Sequence, residues 1–135
     1  NISMITIILA KCLCHWMITG MPIIFLSPII SMYIYINTDS FYSLFYSLLI
    51  GTPILTLIGA PISALTLGLS VRGPILIFIT LPFMIPVLIF GVSAVNSSIN
   101  SSSFISEIYI LAALFSLAIV LSPLATLNAL KISSE

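Results

Sequence analysis

Polar positions punctuate this chain at wide intervals. Charge falls only at Lys11, Asp39, Arg72, Glu107, Lys131 and Glu135, which leaves the uncharged stretches 12–38, 40–71, 73–106 and 108–130. A helix that crosses a membrane needs roughly 20 apolar residues, so each stretch is long enough for one. None alternates apolar and polar residues as a barrel strand would. The run Asn96 to Ser103 reads as a polar loop and shortens the third stretch. Tyr33 and Tyr35, with Asn37, Thr38 and Asp39, close the first, at a level where tyrosine suits the membrane interface. The pattern predicts an all-α, polytopic membrane bundle of four helices in a single transmembrane domain, with spans 11–35, 41–70, 74–95 and 106–129.

The second stretch is the ambiguous one. As a straight helix at ~1.5 Å per residue it overruns a ~30 Å hydrocarbon core, so it is one tilted, kinked helix or two short segments. Charge favours the single crossing. Cytoplasmic loops are enriched in Lys and Arg. With one crossing, Lys11, Arg72 and Lys131 all lie inside, and Asp39 and the 96–107 loop lie outside. With two, Arg72 would move to the side opposite Lys11.

Glycine and proline recur inside the spans: Gly20, Pro22 and Pro28; Gly51, Pro53, Gly59 and Pro61; Pro74, Pro82 and Pro86; and Pro123. An internal proline frees a carbonyl in the preceding turn. In lipid that group is costly unless a neighbour satisfies it, so the kinks should face protein or a cavity. The spacings from Gly51 to Gly59 and from Gly59 to Gly68 do not fit a GxxxG dimer face.

Composition narrows the function. Charged residues are 4% of the chain and hydrophobic residues 61%, against about 25% charged in a soluble domain. Net charge is zero, with no basic patch for nucleic acid. No signal-peptide pattern precedes the first span and the first residue is Asn1, so the chain reads as a fragment of a longer protein. There is no phosphate-binding loop and no carboxylate pair within a span, so catalysis by this chain alone is not expected. Cys12, Cys14 and His15 are too close in sequence to converge on a metal from one helix. His15 is the one candidate haem ligand, weighed against a His and Trp16 anchored near the inner interface.

The stretch Lys11, His15, Trp16, Met17, Thr19, Gly20, Pro22, then Ser27 and Pro28, resembles the third helix of the CcmB family, membrane subunits of the haem exporter in cytochrome c maturation. Gly51, Thr52, Pro53, Gly59, Ala60, Pro61 and Gly68 resemble its fourth helix. Arg72 and Gly73, followed by Pro82 and Pro86, resemble the fifth, and Ser122, Pro123 and Lys131 the sixth. The resemblance covers nearly the whole chain in order. It implies the last four of six helices, resembling the wider ABC-2 type permeases, and a homodimer on an ATPase pair. Implied partners are a CcmA-like ATPase and CcmC-like, CcmD-like and CcmE-like haem-handling proteins. Haem would be the transported or handled ligand rather than a bound cofactor, and ATP would act through the partner. The location implied is the bacterial or mitochondrial inner membrane, with the C-terminus inside. The alternative is a membrane anchor of the same complex with no transport path.

Overall fold

The computed structural model describes residues 3–66 and 72–133, apart from the side chains at 72, 73, 76 and 133. It contains α1 (Met4–Tyr33), α2 (Thr38–Leu65), α3 (Arg72–Ile99) and α4 (Ile105–Ser133). Among the described residues there is no strand. All four helices are long and apolar enough to cross a membrane.

α1, α3 and α4 are longer than their expected spans, while α2 starts earlier and ends sooner. At 30 residues α1 is ~45 Å long, more than a ~30 Å hydrocarbon core, so it reaches past Lys11 toward the headgroups. Ser3 starts it, accepting the Thr6 N–H at 3.3 Å. Asn37 starts α2, its Oδ1 accepting the Ser40 N–H at 3.0 Å. Pro53 and Pro61 lie within α2, and the helix continues through both to Leu65. The second stretch is therefore one continuous helix, ending sooner than expected; residues 67–71, with Gly68, lie outside the described residues. The run read as a loop from Asn96 is helical through Ile99. Tertiary contacts override its weak helix propensity. Ser98 is buried, and Ser97 donates to the Glu107 carboxylate at 2.7 Å.

The two described turns share one device. After α1, the Ile36 N–H bonds the Ser31 carbonyl and the Tyr35 N–H bonds the Met32 carbonyl. After α3, the Ser102 N–H bonds the Ser97 carbonyl and the Ser101 N–H bonds that of Ser98. Both are Schellman caps. Each needs one residue at positive φ, where glycine fits best, yet this chain places Tyr35 (φ 56°) and Ser101 (φ 57°) there.

α2 is the axis of the bundle. It packs against each of the other three helices, while α1 does not meet α3. Its buried stripe is small at one end and bulky in the middle: Ser40, Ser43, Ser47, Gly51, then Ile54 and Leu57. Ser43, Ser47 and Gly51 recur every four residues, the spacing that lets helices approach closely in lipid. At Gly51 the backbone comes near α3, and a Cβ there would meet Val87 at 3.7 Å. Ile54, Leu57, Val87, Leu111 and Ala118 form the core. The remaining buried positions are largely Ser, Thr and Ala, while Ile, Leu and Phe crowd the outer faces. That distribution suits lipid, where large apolar side chains gain nothing from moving inward.

Tyr35→Gly and Ser101→Gly should each stabilise the reconstituted protein, by about 1 kcal/mol, because a side chain at positive φ costs ~1–2 kcal/mol. Unfolding in mixed micelles measures this. A loss of stability in both variants would contradict the cap assignment.

Candidate functional site

Two junctions and one cleft hold most of the residues singled out in the sequence. The first junction ties α1 to α2. Trp16 Nε1 donates to Thr52 Oγ1 at 2.9 Å, and Thr52 Oγ1 donates on to the Leu48 carbonyl at 2.8 Å. Gly20 lies one turn above Trp16 and is buried. A Cβ at Gly20 would stand 2.6 Å from two atoms of the indole ring and 3.3 Å from Thr52 Oγ1. Glycine is therefore required so that the indole can lie flat against α1 and still reach α2.

On either side of this junction α1 leaves space. A cavity of about 380 Å³, lined by Cys12, Leu13, Pro53 and Phe115 among others, lies toward the start of α1. A smaller one of about 280 Å³ lies at the other end, between Pro28 and Ser31 of α1 and Phe41 and Tyr42 of α2. α1 is thus tied to α2 at its waist, with a cavity on either side, while Ile8, Ser27 and Ser31 are buried nearer its ends.

The second junction ties α2 to α4 through a proline. Pro61 has no N–H, so the carbonyl one turn earlier, on Leu57, loses its helical partner. Ser122 Oγ of α4 donates to that carbonyl at 2.5 Å, within a buried site. Pro28 is treated locally instead: Ser27 Oγ donates to the freed Ile24 carbonyl at 2.7 Å. Both freed carbonyls thus have a donor within the protein, one across helices and one within α1.

The cleft lies between α2, α3 and α4 and has a volume of about 550 Å³. Pro61, Pro82 and Pro86 line it, and Ser122 is the one polar side chain among the described residues of its wall. Pro123 is buried in α4 beside it. Gly59 faces open space rather than a neighbouring helix. Pro22 is exposed on α1. Arg72 and Gly73 begin α3, and their side-chain environment lies outside the described residues.

His15 does not join these features. It is exposed on α1 and lines none of the three cavities. Only its carbonyl is engaged, by Thr19 Oγ1 at 2.8 Å. Among the described residues no three His, Cys, Asp or Glu side chains are grouped to hold a metal. Among the described residues the cleft wall includes no axial ligand for haem iron and no charged donor for its carboxylates. Sequence reasoning passed over Thr52 and Ser122 as partners, and over the spacing of Ser43, Ser47 and Gly51. A search for small residues every four positions, or for hydroxyls on a neighbouring span level with a proline, would have found them.

Comparison with known proteins agrees over nearly the full chain. The family model described as "CcmB protein" matches residues 1–133. A protein named "Heme exporter protein B" from Haemophilus influenzae is 40% identical over 127 residues, covering 94% of this chain and 58% of that protein. Those of the same name from Escherichia coli K12 and Paracoccus denitrificans are 39% and 33% identical, covering 96% and 91% of this chain and 59% and 56% of theirs. The chain thus spans less than two thirds of the length of these relatives.

Ser122→Ala should destabilise the bundle by about 1 kcal/mol, within the range measured for hydrogen bonds between membrane helices. In a Pro61→Ala background the backbone N–H returns and the same change should cost much less. Equal costs in both backgrounds would show that Ser122 does not serve the carbonyl freed by Pro61. Trp16 is the single tryptophan, so its emission reports the first junction. Gly20→Ala and Thr52→Val should each shift it, and the double variant should shift it little further; additive shifts would contradict a shared contact.

Proposed function

The chain belongs to the CcmB family, and from that premise we propose that it acts as the membrane subunit of an ABC-type haem exporter serving cytochrome c maturation. Relatives carrying the name heme exporter protein B support the reading, as do four helices apolar enough to span a membrane. The observation that carries the mechanism is the waist on α1. A helix tied to α2 at Trp16, Gly20 and Thr52, with a cavity on either side of that contact, has room to tilt about it.

In this reading the subunit is mechanical rather than catalytic. ATP hydrolysis in a CcmA-like partner shifts the helices, and the shift drives haem handover or release of a haem-loaded, CcmE-like chaperone. CcmC-like and CcmD-like proteins complete the assembly, and a homodimer of the membrane subunit sits on the ATPase pair. A ligand moves such an equilibrium only by binding one state better than the other, so the ATPase contact must differ between the two tilts. Haem is cargo here, not a resident cofactor.

Orientation follows from charge. Consecutive helices run antiparallel, so Lys11, Arg72 and Lys131 fall toward one end of the bundle, and Asp39 and Glu107 toward the other. The basic end faces the cytoplasm or matrix across an inner membrane, with the C-terminus inside. The acidic residues open α2 and α4, where the helix dipole favours them.

The outward placement of His15, and a cleft wall whose described residues include one polar side chain, Ser122, favour a second reading, an anchor that assembles the complex without a path for haem. Release of haem-loaded chaperone by the full-length complex separates the two. A mechanical subunit predicts that Gly20→Ala slows ATP-dependent release several-fold while the complex still assembles. Unchanged release with intact assembly leaves the anchor reading, and full release in the complete absence of the subunit refutes both. For orientation, cysteines at Ser102 and Ile132, in a chain lacking Cys12 and Cys14, should react from opposite faces of the membrane. Reaction from the same face would overturn the topology.

A further inference from the structure

Buried serines in this bundle divide into two groups. Ser27, Ser31 and Ser47 each donate to the carbonyl three residues earlier, and Ser122 donates to the Leu57 carbonyl. Ser40, Ser43 and Ser98 are as deeply buried, yet their hydroxyls have no hydrogen-bond partner among the described residues. Each of these oxygens is covered by neighbouring atoms, so nothing from outside reaches it while the helices stay packed.

Register places the three together. Gly51 of α2 stands against α3, where an added Cβ would meet Val87 at 3.7 Å. The two helices run antiparallel. Ser40 lies eleven residues before Gly51, and Ser98 eleven after Val87. Eleven residues make about three turns, so each serine returns to the face its helix turns toward the other. The two stand at the same level, and Ser43 lies one turn deeper, level with buried Ala94.

This is also where solvent is nearest. Ser40 lies in the first turn of α2 and Ser98 in the last turn of α3, at the end of the bundle marked by Asp39 and Glu107. A buried hydroxyl without a partner weighs against the packed state by roughly tenfold in an equilibrium, and that loss is recovered once water pairs with it. A latch opposes the opening. Beside Ser98, Ser97 donates to the Glu107 carboxylate at 2.7 Å and ties the last turn of α3 to α4.

We propose that this end of the α2–α3 seam is a gate, poised to part and take up water between Ser40, Ser43 and Ser98. The packed arrangement leaves three hydroxyls unpaired, and the parted one hydrates them. Beyond Gly51 and Val87 the seam runs into the core of Ile54 and Leu57, which stays packed. The opening is separate from any tilt of α1, a helix that does not meet α3.

The test is amide hydrogen exchange of the full-length protein in nanodiscs, read over 38–46 and 92–100. Ser43→Ala and Ser98→Ala should each slow exchange roughly tenfold relative to Ser47→Ala, because a methyl group in place of an unpaired hydroxyl favours the packed state. Ser47→Ala is the reference: it gains the same helix propensity, but its hydroxyl is bonded within its own helix. Ser97→Ala should speed exchange by releasing the latch. Exchange no slower in Ser43→Ala and Ser98→Ala than in Ser47→Ala would overturn the proposal, and unchanged exchange in Ser97→Ala would overturn the latch. Water entry has its own readout. In a chain lacking Cys12 and Cys14, Ser98→Cys should react slowly with a water-soluble maleimide, and roughly tenfold more slowly when Ser43→Ala is added. A thiol that never reacts in the folded protein would refute the gate.

Discussion

A carbonyl left without a partner inside a membrane shapes this bundle more than any apolar contact does. Lipid offers no hydrogen bonds, so every backbone group must be satisfied by the protein itself. This chain nevertheless places prolines within all four helices. At Pro61 the freed Leu57 carbonyl takes its hydrogen bond from Ser122 of another helix. The contact that repairs α2 therefore also fixes where α4 lies along it. At Pro28 the repair is local, through Ser27, and places no demand on a neighbour. Prolines of the same type thus have different structural consequences, according to whether the donor comes from the same helix or across an interface.

The packing around α2 follows from the same solvent. Apolar side chains gain nothing by leaving lipid for the bundle interior, so close approach of backbones and hydroxyl contacts supply the association. Ser43, Ser47 and Gly51 give α2 a narrow face, and Gly20 gives α1 one place where the indole of Trp16 can lie between the helices. Where large residues and prolines replace small ones, helices stand apart and leave cavities. α1 is tied to α2 at one contact with a cavity on either side, and a fixed α2–α4 contact lies beside an open cleft.

Membrane class, helix number and the sorting of charge to two ends were legible without coordinates, because they depend on composition and on stretches longer than a bilayer is thick. Helix ends were less so. Asn96, Ser97 and Ser98 look like a loop by composition but lie in helix, since Ser97 meets Glu107 across the turn and Ser98 is buried. Ambiguity over the second stretch ended for a related reason. A proline inside α2 need not break the helix when another helix supplies the missing donor.

By itself the sequence determined that the chain belongs in lipid, that it forms helices, that its basic residues gather at one end and that its motifs resemble one family. These follow from side-chain chemistry and spacing along the chain. Only the tertiary structure decided which proline is served by which hydroxyl, that Gly20 makes room for Trp16 to reach Thr52, that His15 faces outward, and that an apolar cleft opens between α2, α3 and α4. Those depend on the rotation and separation of helices around α2, set by contacts between residues far apart in sequence, such as Leu57 and Ser122.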